Sequence, residues 1–336
     1  MADPVLGVRH SIMGQSWMLR PYSERIARAI ADNLNVSPIV GQLINARGIG
    51  IDNAATFFAP SLKEMMPDPS IILDMDKGVA RMVRAVQQGD KIAVFGDYDV
   101  DGATSSAIFT RFFEAIGVPV YLYIPDRMIE GYGPNASAMT SLRDRGIDLV
   151  ITVDCGTLSF EPLKVAKDIG LDVIVVDHHK AEPELPEAVA VINPNRLDDE
   201  SDLGQLAAVG VTFLFLVAVN RALREAKYYG NKIKEPNLVG LLDVVALGTI
   251  CDVVPLTGLN RAYVTQGLKV MAARRNIGLT ALADVGRVSE APNTYHAGFI
   301  LGPRVNAGGR VGESGLGARL LTTHNPIEAR EIADKL

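Results

Sequence analysis

The strongest chemical signal in the sequence is a run of crowded carboxylates, GDYDVDG at residues 96–102. Its acidic side chains are Asp97, Asp99 and Asp101. Like charges this close repel one another, and burying them without a cation or strong donors would cost on the order of several kcal/mol. The run therefore predicts a metal-binding loop.

The residues alone leave two other interpretations of this run open. An EF-hand loop also begins D-x-D-x-D-G, but its twelfth position should be Glu, and here that position is Ile108. The residues before the run have the pattern of a strand, which also disfavours an EF-hand. A solvated acidic turn is the second alternative.

Two further polar groups follow predicted strands in the same way. Asp154 comes directly after the strand predicted over 149–153, and the tripeptide DHH at 177–179 comes directly after the strand predicted over 173–176. In open parallel sheets, active sites lie beyond the carboxyl ends of the strands. We therefore expect the three acidic groups to meet at one edge of a sheet.

A fourth acidic group is Asp252, which ends an apolar helix predicted over 238–250. A carboxylate there faces the negative end of the helix dipole, so a nearby metal ion would compensate it. Mixed carboxylate and imidazole ligands suit Mn²⁺, and also Mg²⁺, Co²⁺ or Zn²⁺. Cys155 and Cys251 lack C-x-x-C spacing, which disfavours a structural zinc site and a disulfide.

The elements that must position these residues alternate between short apolar strands and amphipathic helices. The predicted strands cover residues 91–95, 118–123, 149–153 and 173–176. Helical stretches follow residues 103, 135 and 159. This alternation predicts an α/β fold with a mainly parallel sheet, flanked by helices and joined by right-handed crossovers.

Helical patterns precede and follow this α/β region. The predicted helices cover 22–33, a stretch opening at 37–38, one opening at Asp52 as its N-cap, and later 209–228, 237–250 and 260–274. We expect a helical N-terminal segment (1–70), a catalytic domain (71–258) and a helical connecting region (259–336). That region would lead to a second domain that is truncated or absent, because the last helical pattern stops without a Gly or Asn cap.

Size and composition indicate a globular protein of two or three compact units, with 336 residues of which 48% are apolar. The longest apolar run, 209–219, is shorter than the ~20 residues needed to span a bilayer. No secretory signal pattern opens the sequence, so a cytoplasmic location is predicted. The formal net charge of -6 argues against non-specific coating of nucleic acid but is compatible with a nuclease.

The motifs taken together resemble a known family. GDYDVDG, VDCG, VDHH and ICDVVPL, in this order, look like the four motifs of the DHH phosphoesterases. GPRVNAGGR, at residues 302–310, narrows the resemblance to the RecJ branch of single-strand-specific exonucleases. The resemblance covers roughly residues 76–310, and the opening LGVRHS is also RecJ-like. It implies a hydrolase that digests single-stranded DNA from 5′ to 3′ in DNA repair and recombination.

The resemblance also implies a metal centre with two ions, Mn²⁺ or Mg²⁺. Asp101, Asp154, His178 and Asp252 would hold one ion, and Asp99 and Asp154 would contribute to the second. Asp154 would then bridge two cations about 4 Å apart.

Other residues near these ligands are given roles by the same resemblance. His179 is the candidate for contacting the phosphate or assisting the leaving oxygen, and Asp177 for orienting His178. Two roles stay open for Asp97, that of a metal ligand and that of a residue just outside the set of ligands. Many DHH enzymes carry a His at the position of Phe95, so the first metal is expected to be weaker or more hydrated here.

Candidate substrate contacts come from two segments. RecJ-like proteins use an Arg in the region of Arg127 for the 5′ phosphate, although a solvated surface Arg is the alternative. Arg304, Asn306 and Arg310 are candidates for clamping phosphates, because a guanidinium fork matches phosphate oxygens. Tyr132 could stack on a base or belong to the core.

Two rival functions remain for this motif set. The first is a DHH phosphoesterase acting on small phosphates or short oligonucleotides, although the GGGH-like motif of those branches is not visible in the sequence. The second is a non-catalytic single-strand-binding relative, whose ligand set would be eroded. By family resemblance the partners are single-stranded DNA, a single-strand-binding protein and a helicase, with no membrane.

Overall fold

The computed structural model describes residues 4–126, 130–308 and 313–336. The chain divides into two compact units, one ending at Glu64 and the other beginning at Met65. The three-part division expected from the sequence, with boundaries at 70 and 258, stays a prediction. Among the described helices, none combines the length and the apolar character needed to cross a bilayer.

The first unit is helical, as predicted. Its helices are α1 (Glu24–Leu34), α2 (Pro38–Asn45), α3 (Ile51–Phe58) and the short α4 (Leu62–Met65), which reaches the unit boundary. Ile30, Ile44 and Ala54 form its buried core. The N-cap predicted at Asp52 was wrong: the cap is Gly50, and Asp52 lies in the first turn, where its charge faces the positive end of the helix dipole.

The second unit is built on a five-stranded parallel sheet with the strand order β2-β1-β3-β4-β5. The strands are β1 (Ile92–Gly96), β2 (Val120–Tyr123), β3 (Leu149–Val153), β4 (Asp172–Val176) and β5 (Ala190–Ile192). In the register, Gly96 pairs with Val153 and Val153 with Val176. The loops after β1, β3 and β4 therefore start at the same edge.

The predicted fold class is confirmed, because helices cover both faces of a parallel sheet. Every residue of β1 and β3 is buried, as expected for strands with helices on both sides. The short β5 was not predicted from the sequence. Its three residues, AVI, are too few to show a periodicity.

Helices pack around this sheet and continue to the end of the chain. They are α5 (Met75–Gln88), α6 (Val100–Ala115), α7 (Ala136–Asp144), α8 (Phe160–Asp168), α9 (Ala208–Glu225), α10 (Leu242–Cys251), α11 (Gly258–Ala272), α12 (Ile277–Val285), α13 (Gly302–Ala307), α14 (Leu316–Thr322) and α15 (Pro326–Lys335). A 3₁₀ turn, Leu238–Leu241, precedes α10, and a π-helical turn, His296–Leu301, precedes α13. Helix α6 follows β1 after the loop 97–99 and packs against α9, α10 and α14, so the acidic run is held inside the unit.

Candidate metal centre

Side chains from three strand ends and from the end of α10 meet at the carboxyl edge of the sheet. Within each of three groups, the possible ligand atoms lie within 4.8 Å of one another. The groups are Asp97 with Asp99 and Asp154; Asp101 with His178 and Asp252; and Asp154 with His178 and His179. Every ligand predicted from the sequence belongs to at least one of these groups, and Asp154 and His178 each belong to two. Their role as ligands stays a prediction.

Asp154 lies at the centre of the cluster in an unusual environment. Its backbone has a φ of 61°, a left-handed conformation that costs energy in residues other than glycine. The carboxylate is buried, and its Oδ1 atom accepts no hydrogen bond from the residues that the structure describes. Burial raises the pKa of Asp154 well above its ordinary value, and the charges of Asp101 and Asp99 raise it further. Such an oxygen is a good site for a cation.

The ring of His178 is oriented by a backbone carbonyl. Its Nδ1 atom lies 3.0 Å from the carbonyl oxygen of Leu206. Because a carbonyl only accepts, Nδ1 carries the hydrogen, and in the neutral ring Nε2 carries the lone pair. Nε2 lies 3.3 Å from Oδ1 of Asp154 and 3.9 Å from Oδ2 of Asp101. A lone pair facing two carboxylates is the arrangement that a bound cation would complete.

Asp101 caps the helix α9. Its carboxylate accepts hydrogen bonds from the backbone N–H of Ala208, at 2.6 Å, and of Val209, at 2.9 Å. Burial raises the pKa of Asp101, the charges of Asp252 and Asp99 raise it further, and the two N–H groups lower it. The carboxylate is thus fixed by the positive end of a helix dipole while it faces the cluster.

Asp252 closes the cluster from α10. It is the C-cap of that helix, as the sequence predicted, and its Oδ2 lies 3.7 Å from Nδ1 of His178. Within the described part of the chain this buried oxygen has no hydrogen-bond partner. Burial raises the pKa of Asp252, a positive charge on His178 would lower it, and the charge of Asp99 raises it.

Asp97 and Asp99 extend from the loop between β1 and α6. Asp99 is the N-cap of α6, and its Oδ1 accepts from the backbone N–H of Gly102 at 3.0 Å. Oδ1 of Asp97 accepts from the N–H of Tyr98 at 2.7 Å. Both side chains reach Asp154, so the structure leaves Asp97 as a possible ligand or an outer contact.

The ring of His179 is held by Asp177. Nδ1 of His179 lies 2.8 Å from Oδ1 of Asp177, which also accepts from the backbone N–H of His178 at 2.7 Å. The other oxygen, Oδ2, accepts from the N–H of Thr157 at 3.0 Å. Burial would raise the pKa of Asp177, but these bonds lower it to about 2.

This differs from the sequence-based assignment, in which Asp177 orients the ring of His178. The carboxylate contacts only the backbone of His178, whereas the ring contacts the carbonyl of Leu206. The ring that Asp177 orients is that of the next residue, His179. The carboxylate of Asp177 and the ring of His179, which comes two residues later in the loop, turn towards each other.

Phe95 lies in the core of the second unit. Its side chain is fully buried and stacks on Tyr123 with the ring centroids 5.1 Å apart. The position therefore contributes packing, and no ligand, to this edge of the sheet. The expectation of a weaker or more hydrated first metal stays a prediction.

The predicted arginine contacts are only partly described. Arg127 and Arg310 lie outside the described residues. Arg304 lies in α13, is half-buried, and donates a hydrogen bond from a guanidinium nitrogen to the carbonyl of Ile300 at 2.7 Å. Its role in binding phosphate stays a prediction.

Asn306 lines a cavity of about 380 Å³ beside the cluster. The other walls include Val100, Cys251 and Gly302. Val100 lies between two of the acidic residues in sequence, and Cys251 directly precedes Asp252. This placement supports a role for Asn306 next to the centre.

Tyr132 stands at the surface beside the histidines. It is 57% exposed, and its hydroxyl lies 3.4 Å from Nε2 of His179 and 3.4 Å from the carbonyl oxygen of Asp154. Its ring meets Tyr98 edge to face, with centroids 6.5 Å apart. The exposure excludes a core role, and stacking on a base stays a prediction.

The sequence reasoning missed two residues at this edge, Asn193 and Asn195. Their side-chain amides donate to the backbone carbonyls of His179 and His178, respectively. The available signal was the tripeptide NPN, two amides directly after an apolar stretch.

Comparison with known proteins finds a family model that covers most of the residues at this edge of the sheet. Residues 91–249 match the family model described as the DHH family, N-terminal domain. Residues 91–249 form a DHH-family domain. It contains each candidate ligand except Asp252, which follows three residues after its end.

The similarity to known exonucleases includes the DHH domain and extends over most of the chain. It is 35% identical over 319 residues to the single-stranded-DNA-specific exonuclease RecJ of Bacillus subtilis strain 168, covering 94% of this chain and 38% of the relative. It is 37% identical over 303 residues to the protein of that name from Escherichia coli K12, covering 89% of this chain and 52% of the relative. The crystal structure of RecJ from Thermus thermophilus in complex with Mn²⁺ has a TM-score of 0.75 and 29% identity, covering 93% of this chain and 43% of that one. The chain thus spans only about half, or less, of the length of these relatives.

Proposed function

We propose that this chain is the nuclease part of a RecJ-like hydrolase that digests single-stranded DNA from the 5′ end with the help of divalent cations. The observation that supports the proposal most directly is that Asp154 belongs to two of the three groups of possible ligands. Its buried Oδ1 atom lies between the acidic loop and the imidazole nitrogen of His178. The similarity to RecJ exonucleases, which covers most of this chain, supports the choice of substrate.

The residues at this edge fit a divalent cation. Buried oxygens of Asp154 and Asp252 accept no hydrogen bond within the described ranges, and both face His178. We assign Asp101, Asp154, His178 and Asp252 to one Mn²⁺ or Mg²⁺ ion, and Asp99 with Asp154 to a second, while Asp97 stays open between ligand and outer contact. When bound, such cations neutralise charge on the phosphate and lower the pKa of water.

The other side chains bind and orient the substrate. Asp177 holds the Nδ1–H of His179, so Nε2, which lies 3.4 Å from the hydroxyl of Tyr132, is the nitrogen left to contact a phosphate oxygen or to give a proton to the leaving oxygen. Arg304, with Arg127 and Arg310, would bind phosphates, and Asn306 would contact the strand from the neighbouring cavity.

The cellular role follows from the same similarity. We infer a cytoplasmic enzyme of DNA repair and recombination that acts on single strands exposed by a helicase and covered by a single-strand-binding protein. These partners would bring the substrate to the enzyme, since the chain itself is acidic, with a formal net charge of -6.

A labelled-oligonucleotide assay tests this function. Single-stranded and annealed oligonucleotides carrying a label at either the 5′ or the 3′ end are incubated with the protein and Mn²⁺. We expect early release of the 5′ label as a mononucleotide, faster with a 5′ phosphate, and resistance of the duplex. Release from the 3′ end, or equal cutting of the duplex, would contradict the RecJ-like function. Hydrolysis limited to dinucleotides would favour the small-substrate DHH enzymes, and binding without hydrolysis would favour a strand-binding relative.

A further inference from the structure

Two asparagines, the buried Asn193 and the half-buried Asn195, hold the loop that carries His178 and His179. The Nδ2 group of Asn193 donates to the carbonyl oxygen of His179 at 2.8 Å, and that of Asn195 donates to the carbonyl oxygen of His178 at 2.5 Å. Consecutive carbonyl groups of the histidine loop are therefore held by amides from one short segment. These contacts fix the backbone from which both rings extend.

The hydrogen-bonding capacity of both amide nitrogens is fully used. Nδ2 of Asn193 also donates to Oγ1 of Thr157 at 2.9 Å, and Nδ2 of Asn195 also donates to the carbonyl oxygen of Gly204 at 2.9 Å. Oδ1 of Asn193 accepts from the backbone N–H of Asn195 at 2.8 Å. Asn193 is completely buried, so no water could replace a lost partner. Losing any of these bonds would leave a buried polar group without a hydrogen bond, which destabilises the fold.

The same network ties two loops of the centre together. Thr157, which accepts from Asn193, donates its backbone N–H to Asp177, and Asp177 holds the ring of His179. The loop after β3 and the loop after β4 are thus joined through Asn193. A change in this amide would move both histidine rings relative to Asp154.

We propose that Asn193 and Asn195 are positioning residues that place the His178 and His179 rings for metal binding and turnover. This inference rests on the proposed function and assigns part of it to residues that touch neither the cation nor the substrate. Groups that orient metal ligands typically affect metal affinity or activity about 10–100-fold. Both asparagines should therefore affect Mn²⁺ binding and kcat more than they affect KM for DNA.

The matched test replaces one amide by an isosteric carboxylate. Asn193→Asp keeps the acceptor for Asn195 but turns the donor towards His179 into an oxygen that faces a carbonyl. Asn276→Asp makes the same chemical change at another buried site, where Nδ2 donates to the carbonyl of Leu321 at 3.2 Å. Both variants should lose stability, but only Asn193→Asp should alter the metal centre.

Three readouts are compared between the two variants and the wild type. Titration with Mn²⁺ alone should give a dissociation constant ~10–100-fold higher for Asn193→Asp and unchanged for Asn276→Asp. The imidazole nitrogen NMR signals of His178 and His179 should shift in metal-free Asn193→Asp only. Its kcat should fall while KM for single-stranded DNA changes little.

A second variant keeps the test decisive if Asn193→Asp does not fold. Thr157→Val is nearly isosteric and removes the Oγ1 group, which accepts from Asn193 and also hydrogen-bonds to Asp177, while it leaves both amides of Asn193 and Asn195 in place. It should therefore weaken Mn²⁺ binding by a smaller factor. Wild-type Mn²⁺ affinity and unshifted histidine signals in the variants would overturn the positioning role. A wild-type protein that binds Mn²⁺ but hydrolyses no DNA would defeat the proposed function alone. If the wild-type protein binds no Mn²⁺, the NMR signals of His178 and His179 in the metal-free variants still test the positioning role.

Discussion

The Nε2 atom of His178 lies 3.3 Å from the Oδ1 atom of Asp154, and the ring is turned so that this nitrogen carries the lone pair. Two hydrogen-bond acceptors, the imidazole nitrogen and the carboxylate oxygen, therefore face each other inside the protein. Without a cation or an extra proton between them this contact is repulsive, since neither atom can donate. The contact links the two groups of acidic side chains, and under the proposed function Asp154 is the residue on which the metal centre would depend.

Replacing the central carboxylate should separate chemistry from folding. Asp154→Asn is preferable to alanine because asparagine tolerates the left-handed backbone found here. We expect hydrolysis to fall by more than ~100-fold, beyond the usual effect of an outer contact. In EDTA the variant should be at least as stable as the wild type, because a crowded buried charge is removed. Thermal unfolding and turnover measured together check both parts, and near-normal turnover would refute the central role.

His178 should matter for metal affinity in a way that an exposed histidine does not. His178→Ala removes the nitrogen beside Asp154, and we expect the dissociation constant for Mn²⁺ to rise by at least ~10-fold. His324, 73% exposed in its side chain, offers a matched control, because its nearest carboxylate is that of Glu114 at 3.4 Å, outside the cluster. Calorimetric titration compares the two variants. Equal Mn²⁺ affinities of the His178 and His324 variants would show that His178 is not a ligand of the metal centre.

Activity and stability should both depend on divalent metal. Excess EDTA should abolish hydrolysis, and Mn²⁺ should restore it at least as well as Mg²⁺, because an imidazole adds a borderline ligand to hard carboxylates. A ligand at 100 times its dissociation constant stabilises the native state by about 2.7 kcal/mol. Mn²⁺ should therefore raise the melting temperature of the wild type but hardly that of Asp154→Asn. Full activity in EDTA would contradict metal-dependent chemistry.

A separate prediction concerns Asp243, in the first turn of α10. Burial raises the pKa of Asp243 to about 6, although the N–H of Val244 and the charge of Arg111 lower it. The native state then binds the proton more tightly than the unfolded chain does. Stability is lost as pH rises from about 4 through about 6, by roughly 1–3 kcal/mol.

Asp243→Asn should therefore be more stable than the wild type above pH ~7 and nearly equal to it near pH 4. Denaturant unfolding in EDTA at several pH values measures the difference. Asp334→Asn, at an exposed site paired with Arg330, is a control expected to show little dependence on pH. A stability difference for Asp243→Asn that does not grow with pH would show that this carboxyl is not perturbed.

The architecture of the DHH domain was accessible from the sequence because its signals are local. Four strands gave apolar runs of four to six residues, and acidic side chains followed three of them directly, so the carboxyl edge could be predicted. The last strand, Ala190–Ile192, was too short to give such a signal. The junction before α13 was also missed, since a π-helical turn has no sequence period of its own.

The long-range contacts of the site could not be predicted. Asp101 caps α9 through Ala208, which is 107 positions away in the sequence, and the pattern of neither segment indicates the other. The orientation of the His178 ring depends on one carbonyl, that of Leu206, in a loop between elements. Such contacts arise from packing of the whole unit, and the sequence pattern carries no record of them.

The most direct measurement is an anomalous-scattering map of crystals soaked in Mn²⁺. We expect one peak in contact with Nε2 of His178 and the carboxylates of Asp101, Asp154 and Asp252. A second peak should lie in contact with Asp99 and Asp154, and both peaks should disappear or weaken strongly in Asp154→Asn. Manganese bound only elsewhere, or an unchanged map in that variant, would contradict a metal centre bridged by Asp154.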